Sequence, residues 1–265
     1  MYLHNKKVLV LKGDGRQKYL TQLMRADGCK VKYEPELSPE ERNEAVRTSE
    51  IVIAPVPAKF DSGQTSIDEY MNIQVLLGGC IPGIITDYCR QNRIYVYDYM
   101  KDEQLIDYNA IATAEGAIAE TIVNSEINLT GSKCIVYGYG HCGRVLAKKL
   151  KDFGAEVTVA VRRSEVIDRA VEDGFDATDL RIAGKKIGSY AFIFNTIPSM
   201  VIDDETVEQV AKDAVIMDIA SKYGGVDYEA AVKCGVKAIH SLGIPGKYSP
   251  LASAKGIYAC IKRIE

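Results

Sequence analysis

The sequence predicts an α/β protein of two doubly wound domains, each built on a parallel sheet, with a cleft between them. Three observations carry this expectation. Short β-branched runs end in Gly or Pro and alternate with amphipathic stretches, the pattern of parallel strands joined by crossover helices. A strand–turn–helix–strand unit occurs twice: residues 7–33 superpose on residues 133–159 without a gap, pairing Leu9 with Ile135, Gly28 with Gly154 and Val31 with Val157. The second copy carries the turn Gly138-Tyr139-Gly140-His141-Cys142-Gly143 between its first strand and its helix.

In the first part, strands are expected near Lys7–Leu11, Lys30–Tyr33, Ile51–Ala54, Gln74–Leu77 and Ile94–Tyr97, with helices between them. One helix start is well marked, with Ser38 as cap, Pro39 in the first turn and Glu41 completing a capping box. In the second part, strands are expected near Lys133–Tyr137, Glu156–Val161, Ala191–Asn195, Ala214–Ile219 and Lys237–His240. Between the two sets, Thr113–Ile127 is Ala-rich and free of Pro, which predicts a connecting helix. Ser249 and Pro250 make a cap and first-turn pair for a last helix over Leu251–Ile264.

The 265 residues suffice for two small domains at roughly 150 residues each. Apolar residues at 47% and charged residues at 26% are the balance of a folded globular chain, which excludes a disordered or collagen-like one. The net charge of −3, with no basic block, argues against nucleic acid as a partner. No apolar run approaches the roughly 20 residues of a membrane span, and Val8–Leu11 is too short for a signal-peptide core, so a cytoplasmic protein is expected. Seven scattered cysteines without CxxC spacing indicate neither a disulfide framework nor a metal cluster, and are expected to be buried reduced thiols.

The glycine turn is the strongest chemical signal. A dinucleotide-binding turn needs a first glycine for the bend, a second for approach to the pyrophosphate and a third for close helix packing; Gly138, Gly140 and Gly143 stand in that order. The next strand decides between cofactors. An NAD site places Asp or Glu at its end to hold the ribose 2′-hydroxyl, whereas this chain has Arg162, Arg163 and Ser164, groups suited to a 2′-phosphate. NADP is therefore expected, the bland alternative being that Ser164 caps a helix beside solvated arginines. Thr196, Ile197 and Pro198, and likewise Ala220 and Ser221, follow later strands where nicotinamide contacts belong, although such residues are also ordinary turn formers.

The first copy has Lys12, Asp14 and Gln17 where the glycines would be, so a dinucleotide is not expected there. Asp14 and Arg16 at that turn read either as a carboxylate clamp with a proton-exchanging acid or as a surface ion pair with Asp14 capping the helix. Of three histidines, His4 is near a terminus and His141 lies in the glycine turn. Only His240, closing a strand, is placed as a candidate acid or base, against a structural role.

These residues, taken with Gly13-Asp14-Gly15-Arg16-Gln17, Gly79-Cys80-Ile81-Pro82-Gly83, Thr113-Ala114-Glu115-Gly116, the run Asn195 to Met200, Ala220-Ser221 with Gly224-Gly225, and Leu242 to Gly246, resemble the dipicolinate synthase A family of spore-forming bacteria over nearly the whole length. The resemblance implies oxidation of a dihydrodipicolinate-type intermediate to pyridine-2,6-dicarboxylate, with NADP accepting hydride and the flavoprotein-like dipicolinate synthase B as partner. For a dicarboxylate substrate it points to Arg16 and Lys222, although the family usually has Arg at the place of Lys222 and a threonine near Ala252-Ser253. The expected organisation is an N-terminal substrate and partner domain over 1–110, of Rossmann or flavodoxin type, and an NADP-binding Rossmann domain over 111–265, its helix over 250–264 packing back on the first; a homo-oligomer is expected. Two other readings stay open: a 2-hydroxyacid-type dehydrogenase using NAD(P), and a non-catalytic subunit that binds NADP and regulates its partner.

Overall fold

The structure, a computed structural model, describes residues 5–60, 67–70 and 72–264; His4 lies outside them. The chain forms two compact units, residues 1–109 with 245–265, and residues 110–244.

The first unit holds β1 (Val8–Val10), α1 (Gly15–Ala26), β2 (Val31–Tyr33), α2 (Pro39–Thr48), β3 (Ile51–Ile53), β4 (Val75–Gly78), α3 (Gly83–Gln91) and β5 (Tyr95–Asp98). Its strands form one sheet in the order β2-β1-β3-β4-β5, and every pairing is parallel. This is the flavodoxin-like order. Val8 and Val10 point into a core on one face with Leu20, Met24, Ile51 and Ile53, while Leu9 and Leu11 point into the other with Val52, Ala54 and Leu76. Both faces being covered explains why the strands read as continuous apolar runs. Ser38 and Glu41 form the expected capping box on α2.

The helix α4 (Glu103–Val123) leads into the second unit, which contains β6 (Lys133–Tyr137), α5 (His141–Asp152), β7 (Glu156–Val161), α6 (Ser164–Glu172), β8 (Asp176–Asp179), α7 (Leu180–Ala183), β9 (Phe192–Asn195), α8 (Asp204–Val207), β10 (Val215–Asp218), α9 (Tyr228–Cys234) and β11 (Lys237–His240). The sheet order β11-β10-β9-β6-β7-β8 is the doubly wound dinucleotide-binding arrangement, again wholly parallel. After α10 (Ile244–Tyr248) the last helix, α11 (Pro250–Arg263), belongs to the first unit, where Ile257, Tyr258 and Ile261 join the core that includes Leu20 and Met24 of α1.

The repeat holds at the level of register. Val8 pairs with Val31 as Cys134 pairs with Val157, and α1 and α5 begin and end at equivalent residues. Gly28 and Gly154 both take positive φ, +86° and +84°, closing the two helices alike.

Four expectations need correction. The connecting helix begins at Glu103, ten residues before the Ala-rich stretch, because Asp102 accepts the Leu105 amide at 2.8 Å and starts it early. The strand β8 adds to the expected set: Asp-Ala-Thr-Asp is polar, as an edge strand can be. Ser249 occupies the cap position of α11, but its hydroxyl makes no capping bond. Of the cysteines, Cys29, Cys89, Cys134 and Cys260 are buried and outside any disulfide, whereas Cys80 is exposed in a bend with φ +54° and Cys142 and Cys234 are half-buried.

Asp102 also ties α4 to α11, accepting from Arg263 Nη2 at 2.8 and 2.9 Å. Burial raises its carboxyl, but the Leu105 amide and the Arg263 guanidinium outweigh this and hold it at about 2. A depressed carboxyl stabilises the fold above its unfolded value of about 3.9 and loses that contribution as pH falls through the folded value. Asp102→Asn is therefore expected to lower the midpoint of denaturant unfolding at pH 7, with the gap to wild type closing between about pH 4 and pH 2. A gap that stays constant with pH would contradict this role.

Candidate functional site

Parallel strands deliver the ends of β6, β7, β9, β10 and β11 to one edge of the second sheet, the carboxyl edge, where open α/β sheets take ligands. At the end of β6 the chain bends through Gly138, φ +98°, whose amide donates to Ala160 O at 2.9 Å. A side chain at Gly138 would strike Thr196, and one at Gly143 would strike the Gly138 carbonyl, so helix α5 packs backbone to backbone against the turn. Gly140 differs: a Cβ there would meet nothing within 4 Å. It is also the cap residue of α5 and so makes no side-chain capping bond, and that turn holds no acidic residue. An open backbone at an uncapped helix N-terminus is a cradle for a phosphate group.

The residues between the glycines divide. Tyr139 is buried, with its hydroxyl donating to Asp173 at 2.7 Å and its ring edge-on to Phe175, which leaves only its backbone to the turn. His141 and Cys142 begin α5, both half-buried; burial raises the Cys142 thiol and a hydrogen bond with Thr113 works against it. After β7, Arg162 and Arg163 are exposed, and Arg163 pairs loosely with Glu165 at 3.5 Å. Ser164 is the first residue of α6 and does not cap it; Arg163 holds the cap position without a side-chain bond. Among the described residues, no carboxylate follows β7 before Glu165.

After β9, the Thr196 amide and hydroxyl both donate to Tyr137 O at 2.9 Å, which fixes the start of the Thr196-Ile197-Pro198 loop beside the glycine turn. After β10 come Ala220, Ser221 and Lys222; Lys222 is exposed and holds φ +62°, unusual for a residue with a side chain. His240 closes β11 with Nε2 2.9 Å from Ala220 O. A carbonyl only accepts, so Nε2 is the donor, which leaves Nδ1 as the other ring nitrogen.

Asp14 and Arg16 lie on the first unit, at the carboxyl edge of its own sheet. Asp14 caps α1 by accepting the Arg16 amide at 3.0 Å, and both its oxygens receive the Arg16 guanidinium, Nη2 at 2.6 Å. Burial raises the Asp14 carboxyl, and the bonds from Arg16 outweigh it and lower it. Arg16 is buried and also donates to Val56 O at 3.2 Å, which leaves Nη1 as its remaining donor among the described residues. Gln17 is buried in the place of the third glycine, its amide directed at Leu11 O and Ile53 O. A side chain thus stands at the place where, in the other copy, Gly143 lets helix and turn meet backbone to backbone.

The sequence places Asn195 and Asp218 at the ends of strands whose loops are expected at the cofactor, without giving either a role of its own, and does not point to Tyr228. Asp218 is fully buried and accepts from Asn195 Nδ2 (3.0 Å), Ala220 N (2.9 Å), Gly225 N (2.6 Å) and the Tyr228 hydroxyl (2.7 Å). The available signal was a polar residue closing each of three apolar strands, and register shows their meaning: Asn195, Asp218 and His240 are neighbours in one row across β9, β10 and β11.

Fold and site together define the class: a two-domain α/β protein whose second unit has the doubly wound dinucleotide-binding sheet order. Its structure is similar to that of a Salmonella D-lactate dehydrogenase, with a TM-score of 0.73 over 97% of this chain and 95% of that one at 14% identity. Residues 128–229 match the NADPH-binding domain family of acetohydroxy acid isomeroreductase. The particular resemblance is to dipicolinate synthase A. The Bacillus subtilis protein is 30% identical over 179 residues, 66% of this chain and 59% of that protein's length. The crystal structure of the Bacillus halodurans dipicolinate synthase A gives a TM-score of 0.88 over 99% of this chain and 98% of that one at 22% identity.

Gly140→Ala is expected to leave the thermal midpoint nearly unchanged, because its Cβ enters open space, yet to weaken nucleotide binding at least tenfold. Gly143→Ala is expected to lower stability by about 1–3 kcal/mol, since backbone cannot yield to the added methyl group. Calorimetry and nucleotide titration on both variants check this. Equal stability losses would show that the two glycines do the same work.

Proposed function

We propose that the protein is an NADP-dependent oxidoreductase of the dipicolinate synthase A type, oxidising a dihydrodipicolinate-type intermediate to the aromatic dicarboxylate together with a second, flavoprotein-like subunit. The observation that carries the cofactor part is the open Gly140 at the uncapped start of α5, followed at the end of β7 by two exposed arginines where an acidic residue would serve NAD. The match to an NADPH-binding domain over residues 128–229 supports it, and the similarity to the Bacillus subtilis protein supports the reaction.

Bound NADP would supply the hydride acceptor. The α5 amides and Gly140 would hold the pyrophosphate, and Arg162 and Arg163, with Ser164, would hold the 2′-phosphate through charge-assisted bonds. Thr196, Ile197 and Pro198 with Ala220 and Ser221 orient the nicotinamide half, since the strand order reverses between β6 and β9 and the second half of the sheet takes the second mononucleotide. His240 takes up a proton at Nδ1. Each unit offers one cationic candidate for a carboxylate: on the first, the Nη1 side of Arg16 braced by Asp14, and on the second, the exposed Lys222. Aromatisation supplies driving force, so holding the ring carbon and moving one proton is the main demand on the protein.

Arg162→Ala and Arg163→Ala should each weaken NADP about tenfold or more while changing NAD little, as measured by titration; unchanged NADP affinity would refute the 2′-phosphate assignment. For the reaction, the protein is supplied with an enzymatically made dihydrodipicolinate precursor and NADP, with and without the second subunit, and dipicolinate is followed by ultraviolet absorbance. Product in either condition is expected. None in both, alongside intact NADP binding, would favour a regulatory nucleotide-binding subunit.

A further inference from the structure

The loops after β9 and β10 contain the residues proposed to hold the nicotinamide half, yet among the described residues only a few backbone bonds tie them together, Val201 N and Ile202 N to Gly225 O at 3.0 Å among them. Most of what holds them converges on one side chain. Asp218 Oδ1 accepts from Asn195 and Ala220, and Oδ2 from Gly225 and Tyr228. The Asn195 amide carries the connection on, donating to Ile197 O and accepting from Ile197 N, both at 3.0 Å. Gly225 is where the loops cross: a side chain there would strike Ser199 O, Ile197 O and Asn195.

We infer that Asp218 is a positioning residue that sets the two nicotinamide-side loops in a single geometry, with the Tyr228 hydroxyl as its adjustable fourth donor. The inference rests on the NADP reading above.

Acceptor chemistry makes the carboxylate hard to replace. All four partners are donors, so an amide at this position would turn an N–H toward at least one other N–H or O–H. Burial, and then the bond to Asp218, raise the Tyr228 hydroxyl far above its ordinary range, which keeps it a donor. The Tyr228 ring stacks on His240 with centroids 5.6 Å apart, and His240 in turn donates to Ala220 O, so the same cluster fixes the imidazole that faces the site. Asp218 itself is fully buried behind these loops and acts through them.

The test separates positioning from general damage by using half of the cofactor. NADP and adenosine 2′,5′-bisphosphate, which lacks the nicotinamide half, are titrated into the wild type, Tyr228→Phe, Asp218→Asn and Arg162→Ala. Tyr228→Phe is expected to weaken NADP about tenfold and to leave the bisphosphate within about twofold; Asp218→Asn should show the same split, larger. Arg162→Ala should weaken both ligands. Equal weakening of both by Tyr228→Phe, or of neither, overturns the inference while the NADP reading stands. A wild type that binds neither ligand overturns the NADP reading, and the inference with it. If Asp218→Asn does not fold, Tyr228→Phe, which removes one oxygen from a half-buried ring, decides alone.

Discussion

Everything in this chain depends on strands that are buried on both faces. The amides and carbonyls of β1, β3, β6 and β9 have no water to turn to, so each must find its partner in a neighbouring strand, and the wholly parallel ladders are the result. Parallel pairing in turn demands a crossover after each strand and delivers the carboxyl ends of the strands to one edge. The candidate site is built at that edge, where the crossover loops bring polar groups to the strand ends.

The two copies of the βαβ unit show how little must change for such an edge to alter its chemistry. Register, helix length and the closing glycine are the same in both. In the second copy, three glycines let α5 touch the strand turn and leave its first amides open. In the first, Asp14 caps the equivalent helix and the Gln17 side chain stands where Gly143 allows backbone contact, so the same frame presents a braced guanidinium instead of an uncapped helix start.

The proposed oxidoreductase chemistry makes a particular demand on the second sheet. Hydride transfer tolerates little displacement of the reacting carbon, so the loops beside the nicotinamide need a fixed shape. Short loops cannot supply it alone. A buried carboxylate shared by four donors can, because any loop movement would strand a polar group away from water.

Much was legible in the sequence because it depends on local rules. The strands of both sheets except β8, the Ser38 capping box and the glycine turn follow from hydrophobic runs, cap chemistry and the conformational freedom of glycine. Where tertiary contacts outweighed those rules, the sequence misled or was silent: α4 starts at Asp102 because of a side-chain bond, β8 is a polar edge, Cys80 is exposed by its bend, and Tyr139 turns into the core. The sequence marks Asp218 only as a polar strand end; its four donors are set by tertiary structure. By itself, the sequence determined a duplicated parallel α/β frame and one glycine turn at the start of an uncapped helix, since these need only residue type and spacing. Which polar residues meet, with Arg16 spent on Asp14 and Asp218 gathering Asn195, Gly225 and Tyr228, was decided by strand register and loop crossing, which bring together residues far apart along the chain.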